Sequence, residues 1–206
     1  MKHIHAFTLI ELLMTIAIVV VLAGILIPAV NSAIKKGQAA KAKAEIVTLV
    51  NAIKQYENTY NRLPQPRYDD TSNYPANGTT VKEINKYLIL ALQAEKYDDD
   101  NNDSTPKIAV TNKDGKATNP RNIKFLDVRA KPGEYPDPWD NDYRIIMSTD
   151  EQISLQSLGD NAKYKDDTIY QSVVIWSAGP DGEWDTKDDV HSFEAEYEAG
   201  QWHVTN

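Results

Sequence analysis

Cysteine is absent from all 206 residues, so disulfides, thiolate metal sites and cysteine nucleophiles are excluded together. Histidine is scarce. His3 and His5 lie at the extreme N-terminus, which leaves only His191 and His203 for the body of the chain. A lone histidine is more often a packed or exposed side chain than a catalyst. No Gly-x-Ser-x-Gly, phosphate-binding glycine loop or His-Glu-x-x-His occurs, so no motif pairs a nucleophile with a base, and the residues point away from an enzyme. Positive charge is also short: 22 Lys and Arg stand against 30 Asp and Glu, a net charge of -8. Nucleic acid, which calls for a concentrated basic patch, is disfavoured, whereas acidic clusters suit a divalent cation. Internal repeats and low-complexity linkers are lacking as well.

What the chain does have is one long uncharged run. From Phe7 to Val30 the only charged residue is Glu11. Leu12 to Val30 is long enough at helical rise to cross roughly 30 Å of hydrocarbon. A carboxylate placed in lipid costs about 2.5 to 3.5 kcal/mol, so Glu11 is expected to face a partner, and that partner is expected in another subunit. A secretory signal peptide would have a shorter apolar region and a small-x-small cleavage site. This run instead continues unbroken into a lysine-bearing helix. Lys35, Lys36, Lys41 and Lys43 follow it, and charge counting alone would hold them in the cytoplasm.

Beyond the run, the remainder of the chain fits one soluble domain of ordinary size. Pro28 is expected to kink the span, after which a helical pattern resumes from Asn31 to Tyr60. Ile46, Leu49, Val50, Ile53, Tyr56 and Tyr60 recur at spacings of three and four, giving one apolar face to pack on a sheet. Asn61-Arg62-Leu63-Pro64 ends this helix, because Pro64 pushes Leu63 out of helical geometry. Residues 65–79 read as a loop. Thr80-Val81-Lys82-Glu83 then makes a capping box that opens a second helix to about Glu95, burying Ile84, Tyr87, Leu88 and Leu92. Tyr97 to Thr105, with Asp98, Asp99, Asp100 and Asp103, reads as a solvated acidic loop, with a second cation site as the alternative. Asn112-Lys113-Asp114-Gly115 is a turn. Arg144–Met147, Ile153–Gln156 and Ser172–Trp176 read as short strands of a small antiparallel sheet. The fold class expected is α+β: a long N-terminal helix, transmembrane and then amphipathic, packed on that sheet.

The densest chemistry lies between Trp176 and Val190. Gly179, Pro180 and Gly182 force tight turns that expose backbone carbonyls, while Asp181, Asp185, Asp188 and Asp189 bring hard oxygen donors around the same loop. Calcium accepts six to eight such oxygens with flexible geometry. Zinc would want His or Cys ligands, and none lies in the loop. An EF-hand is excluded, because its register would put Thr186 where glycine must stand and no glutamate closes the loop. A charged surface turn is the alternative reading.

Three segments carry a resemblance. Phe7-Thr8-Leu9-Ile10-Glu11, with a short polar leader before it and an uncharged helix after it, resembles the processing signal of type IV pilins and pseudopilins. Ser177-Ala178-Gly179-Pro180-Asp181-Gly182 followed by Asp188-Asp189-Val190 resembles the calcium loop of the major pseudopilin of type II secretion systems. Tyr135-Pro136-Asp137-Pro138-Trp139-Asp140-Asn141-Asp142-Tyr143 resembles the Asp-Pro-Trp-Gly-Asn-Pro-Tyr segment that leads into the pseudopilin sheet, with Asp140 and Asp142 replacing Gly and Pro. Trp139 and Tyr143 there read as core packing. Residues 65–130 carry no such likeness.

The resemblance implies that a prepilin peptidase cuts between Ala6 and Phe7 and that the new Phe7 amino group is N-methylated. Ala6 departs from the glycine usual in the family, and Lys2 is the leader's only fixed positive charge. It divides the chain into a leader (1–6), a transmembrane and assembly segment (7–30) and a periplasmic pilin-like domain (31–206), and on orientation the leader signal overrides charge counting. It further implies that Glu11 neutralises the Phe7 ammonium of a neighbouring subunit as helices stack into a homopolymer. For calcium, it implies the Ala178 carbonyl and the carboxylates of Asp181 and Asp188 as ligands, then Asp189, with Asp185 last because related loops often have glycine there. The function implied is a structural subunit of a type II secretion pseudopilus in the inner membrane, working with minor pseudopilins and an assembly platform. A type IV pilus subunit shares the same N-terminus and is the alternative; the calcium loop and missing cysteines favour the secretion branch.

Overall fold

The computed structural model describes residues 9–64, 81–97, 108–111, 116–127, 131–149, 151–154, 168–198 and 201–205. Ala6, Phe7, the loop expected at 65–79, Thr80 of the capping box, the acidic stretch 98–105 and the turn at 112–115 lie outside the described residues. Internal contacts divide the chain into two units, Met1–Ala40 and Lys41–Asn206.

In the first unit the described structure is the opening part of one long helix, α1 (Leu9–Tyr60), which continues across Pro28. Its apolar side chains face outward: Leu9 is 76% and Val20 69% exposed. Such a surface is costly in water and ordinary in lipid, and α1 is long and apolar enough to cross a membrane. The Thr15 hydroxyl donates to the Leu12 carbonyl at 2.8 Å, so that a polar group on this surface has a partner within the helix.

The second unit begins with the rest of α1, where Ala42, Glu45, Ile46, Leu49, Ala52, Ile53 and Tyr56 are buried at helical spacing. The helix stops at Tyr60 because Asn61 turns left-handed (φ +53), earlier than Pro64 alone would require. The second helix, α2 (Val81–Gln93), ends in the same manner. Ala94 is left-handed (φ +58), and the Glu95 amide returns to the Leu90 carbonyl at 2.9 Å. Its burial exceeds one stripe: Leu88, Ile89 and Leu92 join the main core, while Leu90 and Ala91 pack with Val110 and the half-buried Tyr87.

The central sheet is antiparallel in the order β3 (Arg144–Met147), β6 (Val173–Ser177), β7 (Val190–His191). Continuous apolar strands such as Val173-Val174-Ile175-Trp176 need cover on both faces, and they have it. Ile145, Met147, Val173 and Ile175 pack with α1 and α2. The alternate residues Ile146, Val174 and Trp176 pack on the other side with Phe193 and Trp202. Three two-stranded pairs complete the described sheet structure: β1 (Lys96–Tyr97) with β2 (Ile108–Ala109), β4 (Ile153–Ser154) with β5 (Thr168–Ile169), and β8 (Ala195–Glu198) with β9 (Gln201–Val204).

Polar side chains tie α1 and α2 to the sheet. Tyr143 donates to Glu45 at 2.7 Å, Lys43 donates to the His191 carbonyl at 2.6 Å, and Asn85 of α2 donates to the Tyr143 carbonyl. Burial, reinforced by the Glu45 carboxylate, pushes the Tyr143 phenol well above its ordinary range.

Candidate functional site

The acidic loop connects two hydrogen-bonded neighbours of the central sheet, leaving β6 at Ser177 and entering β7 at Val190, which pair with each other. Its entry is a single 3-10 turn, Gly179–Asp181, closed by a left-handed Gly182 whose amide donates to the Gly179 carbonyl at 3.4 Å. Ala178 caps that turn and is buried. Gly179 is irreplaceable on steric grounds: its φ is +67, and a Cβ there would lie 2.4 Å from the Asp188 carbonyl oxygen. The two ends of the loop touch at that point.

Hydrogen bonds from the carboxylates hold the rest of the loop. Asp188 accepts the Asp181 amide at 3.3 Å on Oδ2 and the Thr186 hydroxyl at 2.7 Å on Oδ1. Asp181 accepts the Glu183 amide at 2.9 Å. Asp189 is buried, and its two oxygens receive the amides of Asp185 at 2.9 Å and Thr186 at 3.3 Å. Burial pushes its carboxyl up to about 7, against the opposing pull of those amides. Asp185 is left-handed (φ +65) and lies 3.9 Å from the Arg144 guanidinium. From the last strand, the Trp202 indole donates to the Thr186 carbonyl at 3.0 Å.

Of the residues expected to hold calcium, Asp181 and Asp188 are therefore brought together, Asp189 staples the 185–189 turn, and Asp185 lies at Arg144. Among the described residues no three His, Asp or Glu side chains converge closely enough to hold a metal ion by themselves. The donor chemistry nonetheless fits a hard cation whose shell is completed by carbonyls and water, because two carboxylates sit across a loop whose glycines clear the backbone. His191, packed at 4.4 Å on Trp202 and 4.7 Å on Phe193, is a core side chain. Burial lowers it to about 3, which keeps it neutral.

Several residues that shape the loop lie outside it. The buried Asp137 receives the amides of Trp139 at 2.9 Å and Asn141 at 2.8 Å, and the hydroxyl of Ser177. Ser177 in turn receives the Gly179 amide at 3.1 Å, and Asn141 donates to the Gly179 carbonyl at 3.0 Å. The segment 137–141 is thus the seat of the loop's entry. Tyr143 is buried as expected, and Trp139 is half-buried.

At the other candidate site, Glu11 occupies the first turn of the described helix and is exposed. It stands among exposed apolar neighbours, Ile10 at 74% and Leu12 at 57%.

Residues 1–27 match the prokaryotic N-terminal methylation motif. Over 186 residues the chain is 26% identical to the type II secretion system core protein G of Escherichia coli (strain K12), spanning 90% of this chain and 88% of that one. Among solved structures, the crystal structure of the major pseudopilin from the type 2 secretion system of enterohaemorrhagic Escherichia coli matches at 18% identity and a TM-score of 0.35, over 78% of this chain and 86% of the other. With the motif at its head and a core protein G likeness along nearly its whole length, this chain is similar to the major pseudopilins of type II secretion systems.

Proposed function

We propose that the chain is the main building subunit of a type II secretion pseudopilus, stored as a single-pass inner-membrane protein and drawn into a homopolymer that helps to move folded proteins out of the cell. The observation that carries this reading is the joining of a methylation motif over residues 1–27 to an apolar helix whose outward face carries one acid, Glu11. A prepilin peptidase cuts between Ala6 and Phe7 and the Phe7 amine is methylated. Glu11 then receives that ammonium from the neighbouring subunit, offsetting the cost of both charges in an apolar stack. Minor pseudopilins and an inner-membrane assembly platform are the partners, and the domain after the span faces the periplasm. Catalysis is not required of it.

Calcium is the structural ion of this reading. The Ala178 carbonyl and the carboxylates of Asp181 and Asp188 are its first ligands, with Asp189 adjoining them. Bound there, the ion supplies the charge that two facing carboxylates lack and ties the two ends of the loop.

The test is made on the expressed full-length protein. Mass spectrometry of the mature N-terminus is expected to find methylated Phe7. Glu11→Ala is expected to insert in the membrane at normal levels and to yield no fibres. Normal fibres from that variant, or an intact leader on assembled subunits, would defeat the reading.

A further inference from the structure

Arg144 opens β3 directly across from Trp176 of β6 in the sheet register. Its guanidinium lies 5.2 Å from the Trp176 ring centroid and 4.2 Å from that of Trp184, which belongs to the acidic loop. The two indoles meet edge to face at 6.3 Å, so the cation is held against both. Beside it stands Asp185, with the ion pair 3.9 Å long and the side chains 13% and 15% exposed. A guanidinium taken this far from water needs an anion, and a planar one suits indole faces better than an ammonium would. Asp185 also adopts a left-handed backbone that aspartate takes only when its surroundings hold it.

These groups come from a strand, its neighbour and the loop, and they meet on one face of the sheet. We propose that Arg144 is the positioning residue of the acidic loop: it takes Asp185 as its counter-ion, so that this carboxylate stays outside the cation's ligand set, and it clamps Trp184 so that the loop is formed before an ion arrives. The exclusion of Asp185 from the ligand set rests on the calcium reading above; the clamp itself, the hold of Arg144 on Asp185 and Trp184, does not. With Asp185 committed to Arg144, the positive charge of the guanidinium is neutralised beside the ion site rather than opposing it. The cation then depends on the carboxylates of Asp181 and Asp188, two residues that the loop joins through the Asp181 amide and Asp188 Oδ2.

The full-length protein in detergent micelles tests this with Arg144→Met, Asp185→Asn and the double variant. Melting is followed in EDTA, and calcium affinity by titration calorimetry. In EDTA each single change is expected to lower the melting temperature, and the double variant to fall by clearly less than the sum, the mark of a shared interaction. In the titration Asp185→Asn is expected to stay within about threefold of the unaltered protein, while Asp188→Ala loses about tenfold or more. Strict additivity in EDTA overturns the clamp. A loss of about tenfold in Asp185→Asn overturns the exclusion of Asp185 from the ligand set. If the unaltered protein binds no calcium, the calcium reading fails while the melting cycle still decides the clamp. If Arg144→Met does not fold, Arg144→Lys replaces it in the cycle, keeping charge while losing the planar contact with both rings.

Discussion

Asp137 shows how much of the acidic loop is decided outside it. Its buried carboxylate receives two backbone amides and the Ser177 hydroxyl, and Ser177 receives the Gly179 amide. Asp137→Ala removes the acceptor and leaves buried donors with none, at about 1 to 3 kcal/mol for each left unsatisfied. Urea unfolding is expected to find a loss of about 3 to 5 kcal/mol, larger than that of an exposed carboxylate such as Asp127. A loss below that of Asp127→Ala would contradict the hub. Little of this was legible beforehand. The aspartate, the prolines and Trp139 announced a turn, but not that the turn would seat a loop some forty residues further on, because the hydroxyl that joins them belongs to a distant strand. Asp181 and Asp188 were expected as oxygen donors from their place in the acidic loop, and the structure brings the Asp181 amide onto the Asp188 carboxylate. Asp189 was read through its charge as a ligand, and its service to the Asp185 and Thr186 amides depends on a loop path that composition does not specify.

Among the elements, legibility followed length and pattern. The domain part of α1 was readable from its three-four spacing, and β3 was anticipated with the bounds it has, because Arg-Ile-Ile-Met is apolar enough to demand burial. β6 lies one residue later than expected, at Val173–Ser177, since Ser177 is carried into the ladder by its pairing with Val190. The C-terminal pair β8 and β9 was not anticipated. Ala195-Glu196-Tyr197-Glu198 lacks strand-type residues except Tyr197, and what makes it a strand is the partner opposite, Tyr197 against Trp202 with rings 5.1 Å apart. That partner also touches the loop. Trp202→Phe keeps most of the packing but removes the indole donor to Thr186, and is expected to cost about 1 kcal/mol, whereas Trp202→Ala costs about 3 to 5 kcal/mol. Thermal melts of the two variants check this, and equal losses would mean that the hydrogen bond to the loop contributes nothing.

For the whole molecule, the question is what holds a cysteine-free domain whose sheet is joined by a long acidic connection. The proposed calcium can contribute only by binding the folded chain more tightly than the unfolded one. At a free concentration a hundred times its dissociation constant, that stabilises by about 2.7 kcal/mol. For a domain of this size the gain corresponds to roughly 5 to 10 °C in melting temperature. It should not be the whole of the loop's stability, because Asp188 and Asp189 already hold the connection through hydrogen bonds, and Trp176, Trp202 and Phe193 are buried beneath it. Removal of calcium with EDTA is therefore expected to lower the melting temperature while leaving the far-ultraviolet circular dichroism at 25 °C unchanged, unlike a zinc finger, which unfolds without its metal. Asp181→Ala should melt at the lower temperature with or without added calcium, since it removes a ligand on the loop's exposed side, together with the acceptor of the Glu183 amide. An unaltered protein that melts at one temperature in calcium and in EDTA would leave the loop closed by its own hydrogen bonds alone. Complete unfolding in EDTA would show instead that those bonds do not suffice, and that the ion closes the domain as disulfides would elsewhere.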